Sequence, residues 1–463
     1  MNYPDAANID ELEAFLAAYP DTQMMEVLVV DVNGILRGKR IARDEFETLF
    51  TKGLNSPGAS SIINTYGDAP DDLGIDNYEG DPDKLLYPVA GTLSTVPWLK
   101  SRPAQVLACY RELSGEPYGR DPRNVLRQAL QPLIDMGLKP VVATETEFYL
   151  LEPNDSGTPK PLLATVPGTG IRQPGLQFGM MEDLWDVDNF LESVRTGAVL
   201  QSLPVTTVLS EFAGGQYEIN LHHLDDVVKA CDQAVLLKRL IKGSAREGGL
   251  GTSFMAKPFA GIAGCGLHIH VSLYDQQGKN ILADESSTAK PPISSEMRHA
   301  VGGLAETMAD GMALYAPNAN SYRRLIPGNY VPLSPSWGYN HRSVSLRIPV
   351  SNLENTRIEH RVAGADANPY LVMAAIMAGL HHGLVKQCDP GEMIEEGQTL
   401  PKEEVSLPIR WEAALDKFRS SRIMPHYLGE EYHQVYAVVK EEECDEYHAM
   451  ISPLDYQWYL RAV

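Results

Sequence analysis

Cysteine is scarce in this sequence, and the patterns that would give it a structural role are missing. The five cysteines stand at positions 109, 231, 265, 388 and 444, and no two have CxxC spacing. We therefore expect neither a disulfide framework nor a zinc knuckle, and a reducing compartment fits this usage best. The N-terminus lacks the basic segment of a signal peptide, and the longest apolar run, residues 370–380, has about half the length of a bilayer span. A cytoplasmic protein with no membrane partner is expected.

Positively charged residues are also few in comparison with negatively charged ones. The chain has 39 Lys and Arg against 61 Asp and Glu, which gives a formal net charge of −22. Nonspecific binding to nucleic acid needs a basic surface, so we expect no nucleic-acid partner. A hydrophobic content of 44% and a charged content of 22% are typical of soluble globular proteins. At 463 residues the chain is too long for one ordinary core, so more than one domain is expected.

The first part of the chain predicts a small β-rich domain over residues 1–115. An amphipathic helix over residues 9–19 precedes a β run over 24–32, the turn signal Asn33-Gly34 and a return strand over 35–41. Loops rich in Gly, Pro, Asp and Ser then follow, and they include an acidic loop from residue 68 to residue 83.

Residues 116–463 predict a larger domain in which strands and helices mix. A helix begins with Asp121 as its N-cap and Pro122 in its first turn, and Gly137 ends it. The apolar run over residues 140–150 predicts a buried strand. Further helices are predicted over residues 225–247, 298–314 and 369–384.

One stretch of this larger domain combines glycines with alternating histidines. Gly264 and Gly266 precede His268 and His270, and apolar residues alternate with the two histidines. In a strand, side chains two residues apart share a face, so the two imidazoles would point the same way. A glycine turn that leads into two such histidines could hold a metal ion and a phosphate group. The alternative is a half-buried strand with two ordinary histidines.

Acidic residues occupy similar strand-like positions elsewhere. Glu145 and Glu147 would share one face of the strand over residues 140–150, where they would repel each other unless cations lay between them. Glu211 and Glu218 flank a glycine turn and could enter one site. Exposed strand faces and an ordinary hairpin with exposed acids remain the alternatives.

Arginines accompany these carboxylates. Glu359 alternates with Arg357 and Arg361, either in a binding site or in a surface ladder of ion pairs, and Arg323, Arg324, Arg342 and Arg347 lie close in the sequence. Oxygen donors with one imidazole suit Mg²⁺ or Mn²⁺ better than a structural zinc ion. Divalent metals combined with arginines are the usual equipment of phosphoryl transfer. The sequence has no P-loop and no kinase-type glycine loop, so another fold would have to bind the nucleotide.

In this order and spacing, the motifs resemble those of bacterial-type glutamine synthetases over nearly the whole chain. The matching stretches are 33–40 (NGILRGKR), 145–150 (ETEFYL), 211–218 (EFAGGQYE), 264–270 (GCGLHIH), 320–324 (NSYRR), 347–349 (RIP), 357–361 (RIEHR) and 368–371 (NPYL). The resemblance implies an α+β fold, with a small N-terminal β-grasp domain before a larger catalytic α/β domain of the glutamine synthetase type. It also implies stacked hexameric rings, a dodecamer, with each active site shared between neighbouring subunits.

The resemblance further implies a role for each matching residue. The ligands of one metal ion would be Glu147, Glu211 and Glu218. Those of a second would be Glu145, His268 and Glu359, and each site would hold two or three Mg²⁺ or Mn²⁺ ions. L-Glutamate would be bound by Arg324, Arg361 and the backbone of Gly264, and ATP by His270, Ser272 and Arg357. Arg342 and Arg347 would neutralise the phosphate group during its transfer.

Two departures from the pattern concern the amine. Ammonia-using family members carry a glutamate in the loop that corresponds to residues 324–332, where Tyr330 takes its place as a candidate catalytic residue, and an aspartate near the stretch over residues 56–61, which has no acid. An ammonium pocket needs a nearby negative charge, so a larger amine is expected. The stretches 255–258, 330–332, 336–338 and 361–368 resemble the γ-glutamylpolyamine branch of the family. Tyr330, Trp337 and Tyr339 would edge an amine pocket or simply pack in loops.

The expected reaction is therefore ATP-dependent ligation of the γ-carboxylate of glutamate to a primary amine. The acceptor would be a polyamine such as putrescine or spermidine, in amine catabolism, and the reaction would pass through γ-glutamyl phosphate. The alternatives are a true glutamine synthetase that uses ammonia and a non-catalytic relative that serves as a scaffold or sensor.

Overall fold

The computed structural model describes residues 5–70, 73, 80–153, 157–173, 178–286, 291–327, 330–398 and 405–463. Within these residues the strands form two sheets, one of six strands and one of eight. The strands of the first sheet are β1 (Met24–Val30), β2 (Leu36–Ala42), β3 (Leu54–Pro57), β4 (Asp83–Pro88), β5 (Ser94–Thr95) and β6 (Ala104–Arg111). The strands of the second are β7 (Lys139–Leu151), β8 (Val205–Ser210), β9 (Gln216–Leu221), β10 (Gly251–Ser253), β11 (Leu267–Tyr274), β12 (Trp337–Tyr339), β13 (Leu346–Ile348) and β14 (Ile358–His360).

Some of the helices pack against the first sheet and others against the second. In chain order they are α1 (Ile9–Ala18), α2 (Phe46–Thr51), α3 (Pro122–Asp135), α4 (Met181–Asp186), α5 (Asp188–Leu200), α6 (Val227–Glu247), α7 (Ser295–Met308), α8 (Met312–Tyr315), α9 (Pro369–Lys386), α10 (Trp411–Ser420), α11 (Met424–Leu428), α12 (Glu430–Ala449) and α13 (Pro453–Tyr459). Among the described residues, none of these helices combines the length and the apolar character that crossing a bilayer requires.

The predicted N-terminal hairpin is confirmed. Strands β1 and β2 pair antiparallel, and Val30 lies opposite Leu36 across the turn. The turn forms because Gly34 adopts a φ of 75°, which side chains disfavour. The Asp31 carboxylate stabilises it by accepting hydrogen bonds from the backbone of Asn33 at 2.9 Å and of Ile35 at 2.8 Å. The sheet order is β2-β1-β6-β4-β3, and β5 pairs with β6. Of the predicted acidic loop over 68–83, residues 71, 72 and 74–79 lie outside the described residues.

Helix α3 begins and ends where the sequence predicts. The Asp121 side chain accepts a hydrogen bond from the backbone of Arg123 at 2.8 Å, and Gly137 follows the helix with a φ of 74°. The predicted helix over residues 298–314 is different in detail, because the structure divides it into α7 and α8. Its start lies at residue 295, since Ser294 caps it. The break falls before Gly311, where a Cβ would lie 2.8 Å from the ring of Tyr315.

Helix α9 packs against α3, α6 and α7. Its residues are buried from Pro369 to Leu380. This agrees with the sequence, because a helix that is apolar on nearly all sides is expected to be buried. Its N-cap residue Asn368 also reaches the N-terminal hairpin, because its side-chain amide donates to the carbonyl oxygen of Asp31 at 2.9 Å. Buried residues of β1 and β6, such as Leu28 and Leu107, share one hydrophobic core with helix α3.

Candidate active site

Four neighbouring strands in the middle of the larger sheet carry most of the predicted metal ligands. The strand order β12-β13-β14-β11-β7-β9-β8 puts β14, β11, β7 and β9 side by side. Their register places Glu147 opposite Glu218 and Glu145 opposite His268. Side chains that lie opposite each other on adjacent strands are close enough to interact. The pairing therefore assembles residues that are far apart in the sequence.

Two overlapping groups of possible metal ligands result, each with its ligand atoms within 4.8 Å of one another. The first is Glu145, His268 and Glu359, and the second is Glu147, Glu218 and His268. His268 Nδ1 lies 3.4 Å from Glu145 and 3.9 Å from Glu359, and its Nε2 lies 3.9 Å from Glu147. The sequence set Glu145, His268 and Glu359 is thus brought together. In the other set, His268 joins Glu147 and Glu218, and Glu211 follows the end of β8.

The carboxylates of this cluster lie close enough to one another to shift each other's pKa. Burial and the charges of Glu145 and Glu147 raise the pKa of Glu218 to about 9. Burial and the charge of Glu147 raise the pKa of Glu211 to about 7. The pKa of Glu145 is lowered despite its burial, because both histidines hydrogen-bond to it. Several carboxylates shielded from solvent, together with one imidazole, form the donor set that hard divalent cations bind. The residues therefore fit divalent metal ions.

His270 and Arg357, two of the predicted ATP-binding residues, contact each other. His270 Nε2 donates to Glu145 Oε1 at 2.8 Å, and Arg357 Nε donates to His270 Nδ1 at 3.2 Å. The third, Ser272, is buried and its hydroxyl donates to the carbonyl oxygen of Thr356 at 3.0 Å. His270 therefore lies between the carboxylate cluster and a guanidinium group, and Ser272 bonds to the backbone of the adjacent segment.

Glu359 is held between two arginines in the interior. Arg347 Nη1 donates to one carboxylate oxygen at 2.7 Å, and Arg361 Nη1 donates to the other. Burial opposes ionisation, but Arg361 above all lowers the pKa of Glu359 to about 2. The side chain of Glu359 is 1% exposed, so the alternative of a surface ladder of ion pairs is wrong. The Nε atoms of both arginines are buried and have no hydrogen-bond partner among the described residues.

The glycine turn before β11 is shaped by close contacts. A Cβ on Gly264 would lie 2.3 Å from the carbonyl oxygen of Ala256 and 3.1 Å from Arg324 Cγ, so only glycine fits there. The backbone N–H of Gly266 donates to Glu147 at 2.7 Å. Arg324 is buried, and its Nη1 donates to the carbonyl oxygen of Val362 at 2.9 Å. The turn thus places the predicted glutamate-binding residues Gly264 and Arg324 next to the carboxylate cluster.

Gln216 belongs to this arrangement, although sequence reasoning missed it. Its side-chain amide donates to the carbonyl oxygen of Gly264 at 3.0 Å and to Glu147 at 3.3 Å, and the residue is buried. Gln216 precedes Glu218 by two residues, so the two side chains share a strand face. The spacing of two residues from Glu218 could therefore have identified Gln216 as a site residue from the sequence.

In the part of the chain that the structure describes, the remaining predicted residues do not contact the carboxylate cluster directly. Tyr330 is 64% exposed with a φ of 54°. Arg342 is exposed, but its charge is close enough to offset part of the rise that burial causes in the pKa of Glu211. Trp337 is buried with the guanidinium group of Arg298 5.5 Å from its ring centre, so it packs in the interior and does not edge an open pocket. In the loop over 324–332, residues 328 and 329 lie outside the described residues.

Comparison with known proteins identifies the family. Residues 119–459 match the model described as glutamine synthetase, catalytic domain. The chain belongs to the glutamine synthetase family. It is 38% identical over 456 residues to gamma-glutamylputrescine synthetase PuuA of Escherichia coli (strain K12), which covers 98% of this chain and 95% of that protein. It is 31% identical over 440 residues to a glutamate–isopropylamine ligase of a Pseudomonas species, covering 93% of each chain.

A relative of lower sequence identity and a solved structure support the same family and fold. A glutamine synthetase of Pyrococcus abyssi (strain GE5 / Orsay) is 30% identical over 449 residues, which is 95% of this chain and 94% of that protein. The solved structure of GmaS without ligand superposes with a TM-score of 0.81 at 24% identity, and the match covers 97% of this chain and 99% of that one. The mixed α/β fold is therefore of the glutamine synthetase type. The chain is an ATP-dependent glutamate–amine ligase of this family, whose members use divalent metals.

Proposed function

We propose that this ligase joins the γ-carboxylate of L-glutamate to a primary amine, with a polyamine such as putrescine or spermidine as the preferred acceptor. The observation that carries the ligation chemistry is the buried carboxylate–histidine cluster with guanidinium groups beside it. The acceptor is inferred from two findings. The relative at 38% identity is a γ-glutamylputrescine synthetase, and the loop over residues 324–332 has no acidic residue to bind ammonium.

Two groups of residues would hold the metal ions, Mg²⁺ or Mn²⁺, of which a site would take two or three. Glu145, His268 and Glu359 would bind one ion. Glu147, Glu211 and Glu218 would bind another, and the raised pKa values of Glu211 and Glu218 support this because a divalent cation would replace their protons. When bound, the ions would neutralise the phosphate charges of ATP.

The arginines around Glu359 would bind the anionic groups of the substrates. The buried Nε atoms of Arg347 and Arg361 are free donors among the described residues, and guanidinium groups bind carboxylate and phosphate through paired hydrogen bonds. Arg361 would act with Arg324 and the backbone of Gly264 on glutamate. Arg347 and the exposed Arg342 would neutralise the phosphate group in transfer.

ATP would extend past His270, Ser272 and Arg357. The His270–Arg357 contact supports this position, because Arg357 carries a positive charge next to the carboxylate cluster. The γ-carboxylate of glutamate would attack the terminal phosphate of ATP, giving γ-glutamyl phosphate and releasing ADP. The amine would then displace phosphate and lose a proton to give the amide. Activation is required because a carboxylate is a very poor acyl donor at neutral pH. Tyr330, whose side chain is exposed, would approach the amine.

An amine-panel assay tests this proposal. Phosphate release is measured with glutamate, ATP and Mg²⁺, in the presence of putrescine, spermidine, isopropylamine or ammonium, and Glu145→Gln serves as the inactive control that reveals contaminating ATPase. We expect the highest kcat/KM with a polyamine. Ammonium as the best acceptor would establish a true glutamine synthetase, and nucleotide binding without turnover on any amine would indicate a scaffold or sensor.

Four further proposals concern the whole chain. Residues 1–115, which contain the six-stranded sheet, would form a β-grasp domain, and residues 116–463 the catalytic domain. Subunits would assemble into stacked hexameric rings, and the protein would reside in the cytoplasm, in keeping with its five free cysteines. Mass photometry of the purified chain tests the assembly, since twelve subunits give a single particle mass that a dimer cannot.

A further inference from the structure

A second set of metal-ligand side chains, which shares no residue with the active site, lies on two helices and the turn that follows one of them. It consists of Glu306 on α7, His382 on α9 and Cys388 just beyond the end of α9, with ligand atoms within 4.8 Å of one another. Cys388 Sγ lies 3.1 Å from one carboxylate oxygen of Glu306, and His382 Nε2 lies 3.2 Å from the other. Neither the ligase reaction nor the substrates use these residues.

The backbones that carry Glu306 and His382 are in direct contact. A Cβ on Gly303 would lie 2.2 Å from the carbonyl oxygen of Gly379, and one on Gly383 would lie 2.1 Å from the carbonyl oxygen of His299. Helices α7 and α9 can approach this closely only because both positions are glycine. The separation between Glu306 and His382 is therefore fixed by the packing of two rigid helices, which is the kind of support that a metal site needs.

The turn that ends α9 brings in the third side chain. Gln387 adopts a φ of 53°, which stops the helix and turns the chain back. The backbone N–H of Cys388 donates to Gly383 at 3.2 Å, and His299 Nδ1 lies 3.3 Å from the carbonyl oxygen of Cys388. The first contact ties the cysteine to α9 and the second ties it to α7, and its thiol faces Glu306.

We propose that Glu306, His382 and Cys388 form a binding site for a transition-metal ion of the zinc class, with water as the fourth ligand. Thiolate, imidazole and carboxylate together are a donor set that Zn²⁺ binds in tetrahedral geometry. Ligand atoms around a tetrahedral Zn²⁺ lie about 3.3–3.5 Å apart, given the usual bond lengths. The ligand atoms of this set lie within 4.8 Å of one another, so small side-chain rotations would bring them around one ion. The side chain of Glu306 is 55% exposed, which leaves a path for the ion and its water.

The donor chemistry separates this site from the catalytic one. The catalytic cluster offers carboxylates and imidazole, which suit Mg²⁺ or Mn²⁺. The second site adds a sulfur ligand, and a soft donor favours a thiophilic metal. In the metal-free protein the Cys388 thiol donates to Glu306, and on binding it would release its proton to solvent.

Cobalt(II) reports directly on the sulfur ligand. The full-length protein is titrated with Co²⁺ in excess Mg²⁺, and the thiolate-to-cobalt charge-transfer absorption in the near ultraviolet is recorded. We expect this band to appear with one equivalent of Co²⁺ and to disappear when Zn²⁺ is added. The band should be lost in Cys388→Ser and strongly weakened in His382→Ala, and each variant should retain its ligase activity and melting temperature.

Cys444→Ser is the matched control. Cys444 also lies near a histidine and a glutamate, His448 and Glu412, but both of these partners are exposed. We expect this variant to keep the full band. Absence of the band from the unmodified protein, its persistence in Cys388→Ser, or its loss in Cys444→Ser alone would each overturn the proposal.

Discussion

Substitution of Glu359 by glutamine tests both the interior ion pairs and the proposed metal site. The carboxylate lies between Arg347 and Arg361, and all three side chains are largely buried. Glutamine has nearly the same shape, but it can accept from only one of the two guanidinium groups, and its NH₂ would face the other. Removing one partner from a buried ion pair costs about 3–5 kcal/mol, because the remaining charge is left without compensation. We expect a loss of this size in the metal-free protein, together with loss of turnover.

Urea unfolding in the presence of a chelator measures the first effect, and phosphate release in Mg²⁺ measures the second. Glu192→Gln is the matched control, because Glu192 pairs with Arg195 on an exposed surface, where solvent screening leaves an ion pair with little effect on stability. A Glu359→Gln protein as stable as the control variant would show that the buried pairs contribute little. Retained turnover would remove Glu359 from the metal site.

Three further substitutions test other contacts. Gly303→Ala should lower the free energy of unfolding in urea by about 1–3 kcal/mol, because the added Cβ would push α7 away from α9. Gly248→Ala is the control, because its Cβ would lie 3.5 Å from its nearest neighbour and should change the free energy of unfolding little. Burial lowers the pKa of Lys238 to about 8, so the charged ammonium form destabilises the folded protein below pH 8. The free energy of unfolding of the unsubstituted protein, relative to Lys238→Met, should therefore rise by about 3 kcal/mol between pH 8 and 10.5. A difference that stays constant with pH would contradict this. Gln216→Leu removes two hydrogen bonds, to Gly264 and Glu147, and should raise the Mg²⁺ concentration needed for half-maximal activity about 10–100-fold; an unchanged value would make its role purely structural.

Local sequence patterns predict which side chains share a strand face, but not which strands are neighbours. The alternation around Glu145 and His268 correctly put each on the same face as its partner two residues away. Their position opposite each other depends on the pairing of β7 with β11, which tertiary packing sets. Likewise, the sequence placed Glu359 between Arg357 and Arg361, and only the register of β13 and β14 puts Arg347 opposite Glu359.

A long-range contact also supplies an acidic group to a stretch that lacks one in its own sequence. The stretch over residues 56–61 has no acid of its own. In the structure, the Asp81 carboxylate accepts a hydrogen bond from the backbone of Ala59 at 2.9 Å, so a carboxylate reaches this stretch from a distant loop. No periodicity could have predicted this contact, because it depends on the path of a loop and not on a repeating pattern.

The contact between Asn368 and the N-terminal hairpin bears on how the two sheets could be separated. The Asn368 amide both caps α9 and donates to Asp31, and Lys440 donates to Asn33 from the other side. The buried residues of β1 and β6 share a core with α3. The two parts of the chain should therefore unfold in one cooperative transition. An N-terminal part from another family member would fit this catalytic part only if the residues on both sides of the contact were exchanged together.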